Sequence, residues 1–275
     1  MTMALDVGRW LKLVRCNRPL IHNMTNLVVT NVVANALLAL GASPVMAYAH
    51  EEVEEMAKLA GAVALNMGTL TPDLVAGMIL AGRAAAEAQI PVVFDPVGVG
   101  ATQYRQQAAQ EILAQVPLSV LKGNGGEISH MVGVGGSVRG VDAQTVGSGL
   151  REAMAEYARA HQLVVVATGA EDLVTDGQTV WVLSNGDVRL SEITGSGCMV
   201  TALIAAFLAI CDAPCQLAQM AEASVAAITC FNVAAETAAR MAQGPGTFVP
   251  QLFDALKALT PEDVNRRARL KDTVA

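Results

Sequence analysis

Apolar positions in this chain fall into two recurring textures, short continuous runs and longer helical stripes, separated by Gly, Pro, Asn and Thr. The opening "MTMALDVGRWLKLVRCN" reads as an amphipathic helix. Leu27 to Leu40 predicts an apolar helix that carries Asn31 and Asn35 one turn apart and stops at Gly41, while Pro44 to Ala49 is strand-like. "HEEVEEMAKLAG" predicts a short charged helix, Ala62 to Gly68 a strand, and Thr71 caps a helix that has Pro72 in its first turn and runs to about Gln89. "PVVFDPVGVG" is then a buried strand broken at Asp95-Pro96. A helix over Arg105 to Gln115, the strand "LSVLKG" and a short helix from about Gly126 follow. A long amphipathic helix from Val146 to His161 leads into the strand Leu163 to Gly169, and "DLVTDGQTVWVLSNG" reads as a hairpin turning at Asp176-Gly177. From Gly195 onward the pattern is nearly all helical.

Repeated strand-helix units imply α/β architecture, a mostly parallel sheet with helices on both faces, to which the hairpin adds antiparallel edge strands. No linker composition divides the chain, so residues 1–275 are expected to form one domain. Two apolar runs invite a membrane reading: Cys198 to Cys211 is too short to span, and Leu27 to Ala49 is interrupted by Asn31, Asn35, Ser43 and Pro44. Both read as buried segments of a soluble protein.

Composition sharpens this picture. Hydrophobic residues make up 53% of the chain and charged ones only 16%, below the usual quarter, which favours extensive burial within the fold and between subunits. The formal net charge of −7 argues against a nucleic-acid or anionic-membrane partner, so any phosphate must be held locally by backbone and a few cations. Five cysteines and no apolar secretory leader at the start point to a reducing cytoplasm. The four scattered histidines give Cys211 and Cys215 no zinc-site spacing.

In open α/β sheets ligands bind beyond the carboxyl ends of the strands. Several predicted strands end in reactive groups: Met46, then Asn66-Met67-Gly68-Thr69, Asp95-Pro96, Lys122-Gly123-Asn124-Gly125-Gly126-Glu127, and Thr168-Gly169. "TGSGC", Thr194 to Cys198, leads directly into an apolar helix, a pattern that serves either as a flexible helix start or as an anion cradle. It matches neither a Walker loop nor the full dinucleotide fingerprint. Asp95 and Glu127 are a turn former and a helix-start acid, or together a hard-cation site for Mg²⁺. Lys122 is a surface cation or a phosphate contact, and Thr168-Gly169 a turn or a phosphate donor pair. In "PLIHNMTNLVVTN", Asn26 either caps the following helix or lines a pocket for a small, partly apolar substrate closed by the thioether of Met46.

These residues converge on a resemblance. "PLIHNMTNLVVTNVVANALLALGASPVMAYAHEEVEEM", "LNMGTL", "IPVVFDPVGVGAT", "LKGNGGEI", "ATGAEDLVTDG" and "TGSGC" occur in the order seen in hydroxyethylthiazole kinases, and the likeness covers roughly residues 10 to 260. It implies a ribokinase-like three-layer α/β/α fold and ATP-dependent phosphorylation of the primary alcohol of 4-methyl-5-(2-hydroxyethyl)thiazole, in thiamine salvage. It further implies Met46 and Gly195 as substrate contacts, Lys122 and Thr168 as ATP contacts, Asn124 and Glu127 as supports for Mg²⁺ and phosphates, and Asp95 as the acid near the metal. A homotrimer with sites near subunit interfaces belongs to the same resemblance. Lys122 stands where many relatives carry arginine, which exchanges a bidentate grip for a point charge. Cys198 stands where the wider ribokinase-like pattern has an aspartate base. A helix N-terminus lowers a thiol's pKa, so a thiolate base is chemically feasible, yet phosphoryl transfer is carried mostly by positioning and charge stabilisation. The expected arrangement is that backbone amides of Gly195 to Cys198, Gly197 included, stabilise the transferring group while Cys198 orients the alcohol. A pyrimidine or sugar kinase of the same fold, a repair dehydratase and a non-catalytic nucleotide module remain the competing readings.

Overall fold

The computed structural model describes residues 5–134, 147–212 and 214–274. The first half alternates helix and strand: α1 (Val7–Asn17), β1 (Leu20–Met24), α2 (Thr30–Leu40), β2 (Ser43–Val45), α3 (Val53–Leu59), β3 (Ala62–Asn66), α4 (Pro72–Glu87), β4 (Val92–Asp95), α5 (Gln103–Gln115), β5 (Val120–Asn124) and α6 (Gly125–Met131). There follow α7 (Gly147–His161), β6 (Val164–Thr168), the hairpin β7 (Asp172–Thr175) and β8 (Thr179–Leu183), a 3-10 turn (Val188–Glu192), α8 (Ser196–Leu208), α9 (Leu217–Met241), α10 (Pro245–Ala258), α11 (Pro261–Arg267) and β9 (Leu270–Val274).

The nine strands form one sheet in the order β2-β1-β3-β4-β5-β6-β7-β8-β9. From β2 to β6 every pairing is parallel, and from β6 to β9 every pairing is antiparallel. The chain runs from β1 outward to β2 and then returns to place β3 on the other side of β1, so a topological switch point lies between β1 and β3.

Alternation within the strands sorts their side chains to two cores. Ala62 and Ala64 of β3, Val93, Val120 and Val164 face a core shared with α2, α8, α9 and α10, whereas Val63, Leu65, Val92, Phe94 and Leu121 face one shared with α4, α5 and α7. Small alanines on one face of β3 let α8 lie close across β1, β3, β4 and β5. That packing brings the start of α8 over the carboxyl ends of the parallel strands. α9 is long and apolar enough to cross a bilayer by length and composition, but 72% of that window is buried, packed against α8, α10, β6 and β7.

Several expectations shift. β1 is a strand that the periodicity does not announce, because His22 and Asn23 interrupt its apolar run; both faces are buried, and His22 Nε2 is satisfied at 2.8 Å by the Ala47 carbonyl. β2 ends at Val45, short of the expected Ala49, since the segment beyond it is held instead by that histidine and by Tyr48, whose hydroxyl donates to the Thr25 carbonyl at 2.9 Å. α2 begins at Thr30 and not at Leu27, whose amide donates to Thr69 Oγ1 at 3.0 Å. The hairpin does not form the edge: β9, polar in sequence and read as helical, pairs with β8 and covers it. The expected helix start at Val146 lies outside the described residues.

Gly82 on α4 shows how tight the second core is, since a Cβ there would stand 2.5 Å and 2.9 Å from the two methyls of Val116. Gly82→Ala is expected to destabilise the fold by about 1–3 kcal/mol in urea unfolding through overpacking, against a helix-propensity gain of about 1 kcal/mol. Adding Val116→Ala to that variant should recover part of the loss; a Gly82→Ala protein more stable than its parent would refute the packing argument.

Candidate active site

The carboxyl ends of the parallel strands converge on Asp95, the last residue of β4, which is only 1% exposed. Its Oδ2 accepts from Thr201 Oγ1 at 2.6 Å, from Asn66 Nδ2 at 3.0 Å and from Lys122 Nζ at 3.3 Å. Its Oδ1 is buried without a partner among the described residues. Lys122, on β5, also donates to the Gly197 carbonyl at 3.1 Å, which ties the cation to the first turn of α8. Burial works to depress the lysine's pKa, but the neighbouring carboxylates of Asp95 and Glu127 outweigh it and raise the value above the ordinary one.

At the β1/β3 switch point, Asn26 Nδ2 donates to Asn66 Oδ1 at 2.9 Å and to Cys198 Sγ at 3.4 Å, and Asn66 Nδ2 reaches the same sulfur at 3.3 Å. Gly68 permits this approach, because a Cβ there would lie 2.5 Å from Asn26 Nδ2. Asn26 is therefore not the cap of α2; its amide is committed to the site, and no side chain caps that helix. Cys198 occupies the first turn of α8 behind Gly195, whose φ of +89° and 2.8 Å Cβ approach to Val29 both require glycine. Among the described residues no side chain caps α8, so its first-turn amides stay available to an anion. Despite that position, the thiol pKa is raised: burial and the Asp95 charge outweigh Lys122 and the two asparagine amides. Its surroundings therefore favour the protonated thiol over the thiolate.

Glu127 and Asn124 close α6 as a reciprocal capping box, with Glu127 Oε2 accepting from the Asn124 amide at 2.8 Å and Asn124 Oδ1 from the Glu127 amide at 2.9 Å. Glu127 Oε1 accepts from the Gly98 amide at 2.8 Å, so this acid joins the loop after β4 to the end of β5. Its pKa is raised by burial and by Asp95. Thr168, at the end of β6, donates to the Gly123 carbonyl at 3.3 Å and lines a cavity of about 590 Å³ that extends from Ser196 and Gly197 past Gly169 to Asp172, Asn185 and Asn232. Val200, Ile228 and Phe231 give that cavity an apolar wall. Met46 lies just past β2, half-buried against the α8 core and outside the hydrogen-bonded cluster.

The structure thus joins Asn26, Asp95, Lys122, Gly197 and Cys198 directly, connects Asn124 and Glu127 through the Gly98 loop, and sets Thr168 on the adjoining cavity. Three supporting residues escaped the motif reading as members of this cluster. Asn66, visible only as a strand end, bridges both asparagine and carboxylate; Thr201, one turn beyond Gly197, announces itself only as a hydroxyl in an apolar helix. Arg105 carries no sequence signal, yet its guanidinium donates to the carbonyls of Met67, Val97 and Gly68 at 2.6–2.7 Å and clamps the loops after β3 and β4.

Chemically, the arrangement offers uncapped helix amides for an anion, a buried cation, an open carboxylate oxygen, and a nucleotide-sized cavity on the far side of Gly197. Over residues 11–262 the chain matches the Hydroxyethylthiazole kinase family. It is 47% identical over 254 residues to the hydroxyethylthiazole kinase of Moorella thermoacetica, spanning 92% of this chain and 93% of that relative. The solved hydroxyethylthiazole kinase protein from Pyrococcus horikoshii OT3 superposes with a TM-score of 0.87 at 40% identity, over 97% of this chain and 98% of that one. A ribokinase-like superfamily protein from Enterococcus faecalis V583 superposes with a TM-score of 0.60 at 10% identity, over 90% of this chain and 89% of that one, a likeness of fold alone.

A raised thiol pKa means a smaller thiolate fraction at neutral pH than an ordinary cysteine has, and thiolate is the species that alkylates. Iodoacetamide at pH 7.5 should therefore label exposed Cys16 well before Cys198, with Cys198 catching up only as the pH climbs beyond the ordinary thiol range. Site-resolved mass spectrometry checks this; Cys198 labelling first at pH 7.5 would show an ionised thiol.

Proposed function

The chain belongs to the hydroxyethylthiazole kinase family, and from that membership we propose a working arrangement for the transfer of the ATP γ-phosphoryl group to the primary alcohol of the thiazole. One observation carries it: Gly197 belongs at once to the Lys122–Asp95 cluster and to the cavity wall, so the first turn of α8 separates a nucleotide chamber from the asparagine-lined end of β1 and β3. ATP occupies the cavity with its phosphates toward Thr168 and Ser196, and the alcohol lies on the Asn26 side with Met46 and Gly195 along its binding surface.

Within that arrangement the residues act mostly by position. The first-turn amides of α8, Gly195 to Cys198, receive the charge of the transferring group, and Lys122, held as a full cation, compensates the phosphate chain. The alcohol oxygen forms its bond to the γ-phosphorus as the bridging bond to the β-phosphate breaks, and ADP leaves. Because that transition state is loose, the hydroxyl proton departs late, to an oxygen of the transferred phosphoryl group and from there to water, and a strong base is not needed. Neutral Cys198, fixed by two amide donors, orients the hydroxyl.

Mg²⁺ fits the residues present. Asp95 offers a buried carboxylate oxygen without a partner among the described residues, and Mg²⁺ is commonly held by one or two carboxylates plus substrate phosphates. Glu127 supports from behind, since both of its oxygens already accept backbone amides. When bound, the ion neutralises phosphate charge. We take the whole chain as one catalytic domain working in the cytoplasm, and assembly as a homotrimer suits the exposed apolar Leu27, Val28 and Leu38 around α2, beside the site.

ADP release with Mg-ATP should depend on the hydroxyethylthiazole and not on hydroxymethylpyrimidine, and should stop on adding EDTA. Turnover with the pyrimidine alone would overturn the substrate assignment. Cys198→Ser is expected to keep kcat within about tenfold of the parent; a loss approaching ~10⁴-fold, the upper range of general-base catalysis, would restore the thiol as the base.

A further inference from the structure

The far wall of the cavity holds a polar group that phosphoryl transfer does not use. Asn232 of α9 is 5% exposed, and its Nδ2 donates to Asp172 Oδ2 at 2.7 Å and to the Asn185 carbonyl at 2.9 Å. Both neighbours are acceptors. The Asn185 carbonyl can only accept, which by itself decides which amide atom faces it, and burial pushes Asp172 up to about 6. The amide is therefore locked with its NH₂ toward the wall. Its Oδ1 has no hydrogen-bond partner among the described residues, and the Asn232 side chain belongs to the cavity lining next to Gly186.

Asn232 is itself held from behind. Asp172 Oδ1 accepts from the Gly169 amide at 2.9 Å, and Asn185 donates to Glu236 Oε1 at 2.9 Å, where Arg267 and Arg269 complete the network. This backing leaves the Asn232 amide with one oxygen of fixed direction, in a stretch of wall that combines polar Asp172 and Asn185 with the apolar side chains of Ile228 and Phe231. Thr168 and Gly197 take the phosphate end of the same cavity, so this acceptor faces the nucleoside part of whatever occupies it. Resting on the nucleotide reading of the cavity given above, we propose that Asn232 Oδ1 selects the phosphoryl donor by accepting a hydrogen bond from its nucleoside, either from the exocyclic amine of the base or from a ribose hydroxyl. A site built to hydrogen-bond a donor group rejects the analogue that lacks it, because a buried polar atom is then left unpaired.

Calorimetric titration of ADP, IDP and 2′-deoxyADP into the full chain tests this without the alcohol. The unmodified protein should bind ADP about 5- to 10-fold more tightly than one of the two analogues, the size of one net hydrogen bond, and the analogue disfavoured identifies the donor as amine or hydroxyl. Asn232→Ala should weaken ADP and bring the affinities to within about twofold of each other. A merely structural role would lower all three in proportion and leave the ratio intact, which would overturn the proposal. Asn232→Ser, which removes Oδ1 but keeps a small polar hydroxyl on the Asp172 side, repeats the test if the alanine variant fails to fold. Equal affinities in the unmodified protein overturn the proposal with no variant at all. Absence of ADP binding overturns the nucleotide reading with it, whereas ADP binding without discrimination removes the role of Asn232 alone.

Discussion

A carboxylate that is 1% exposed must be neutralised where it stands, and the buried charge of Asp95 organises everything around it. Parallel register sets Asn66 beside Asp95, so the two strand ends meet without any loop having to reach. Three donors then converge on a single oxygen from β3, β5 and α8. Withdrawing one partner from such a buried pair costs about 3–5 kcal/mol, since the remaining charge has nowhere to go. The position of α8 is thus a consequence of electrostatics as much as of apolar packing: Thr201 and the Gly197 carbonyl bind the acid and its cation, and the uncapped first turn is held over the strand ends as a result.

Small residues make that proximity feasible. A Cβ at Gly68 would strike the Asn26 amide, one at Gly195 would strike Val29, and one at Gly197 would come to 3.1 Å of Lys122 Nζ. The glycines of "TGSGC" are therefore explained before any ligand is considered. The local need for a left-handed turn and close backbone approach, and the later need for bare amides facing an anion, ask for the same residues. Glu127 is similar: its capping box starts α6, and its other oxygen holds the Gly98 loop, so one side chain both begins a helix and shapes the floor behind Asp95.

This coincidence decides what could be read from the sequence. Strand ends such as Asp95, Lys122 and Thr168 were legible, because parallel α/β topology sends every such end to one rim and the buried runs before them are unmistakable. β1 was not legible, since its polar His22 and Asn23 break the apolar run, and the bond that lets His22 be buried comes from Ala47, 25 positions on. Nor was β9, whose polar residues form a strand only because β8 offers an edge to pair with. Within the site, residues acting through their own chain position were visible, whereas those acting across the fold were not. Arg105 collects carbonyls 37 and 38 positions away, and Asn66 joins Cys198 at a separation of 132; no local pattern encodes either contact.

The same electrostatic accounting explains why a thiol stands at the start of α8. Among the described residues Lys122 is the buried cation of the cluster, and it is committed to Asp95 and to the Gly197 carbonyl. The groups that face position 198 are the amides of Asn26 and Asn66, which are neutral and make long bonds of 3.3–3.4 Å to sulfur. A second full negative charge at this position would have to share the cation already engaged by the first, and burial together with Asp95 accordingly keeps the Cys198 proton in place. A thiol fills the site, accepts two weak hydrogen bonds and remains uncharged. In the arrangement proposed above, the negative charge of a phosphate chain is left to the helix amides and Lys122, without competition from a charged side chain at position 198.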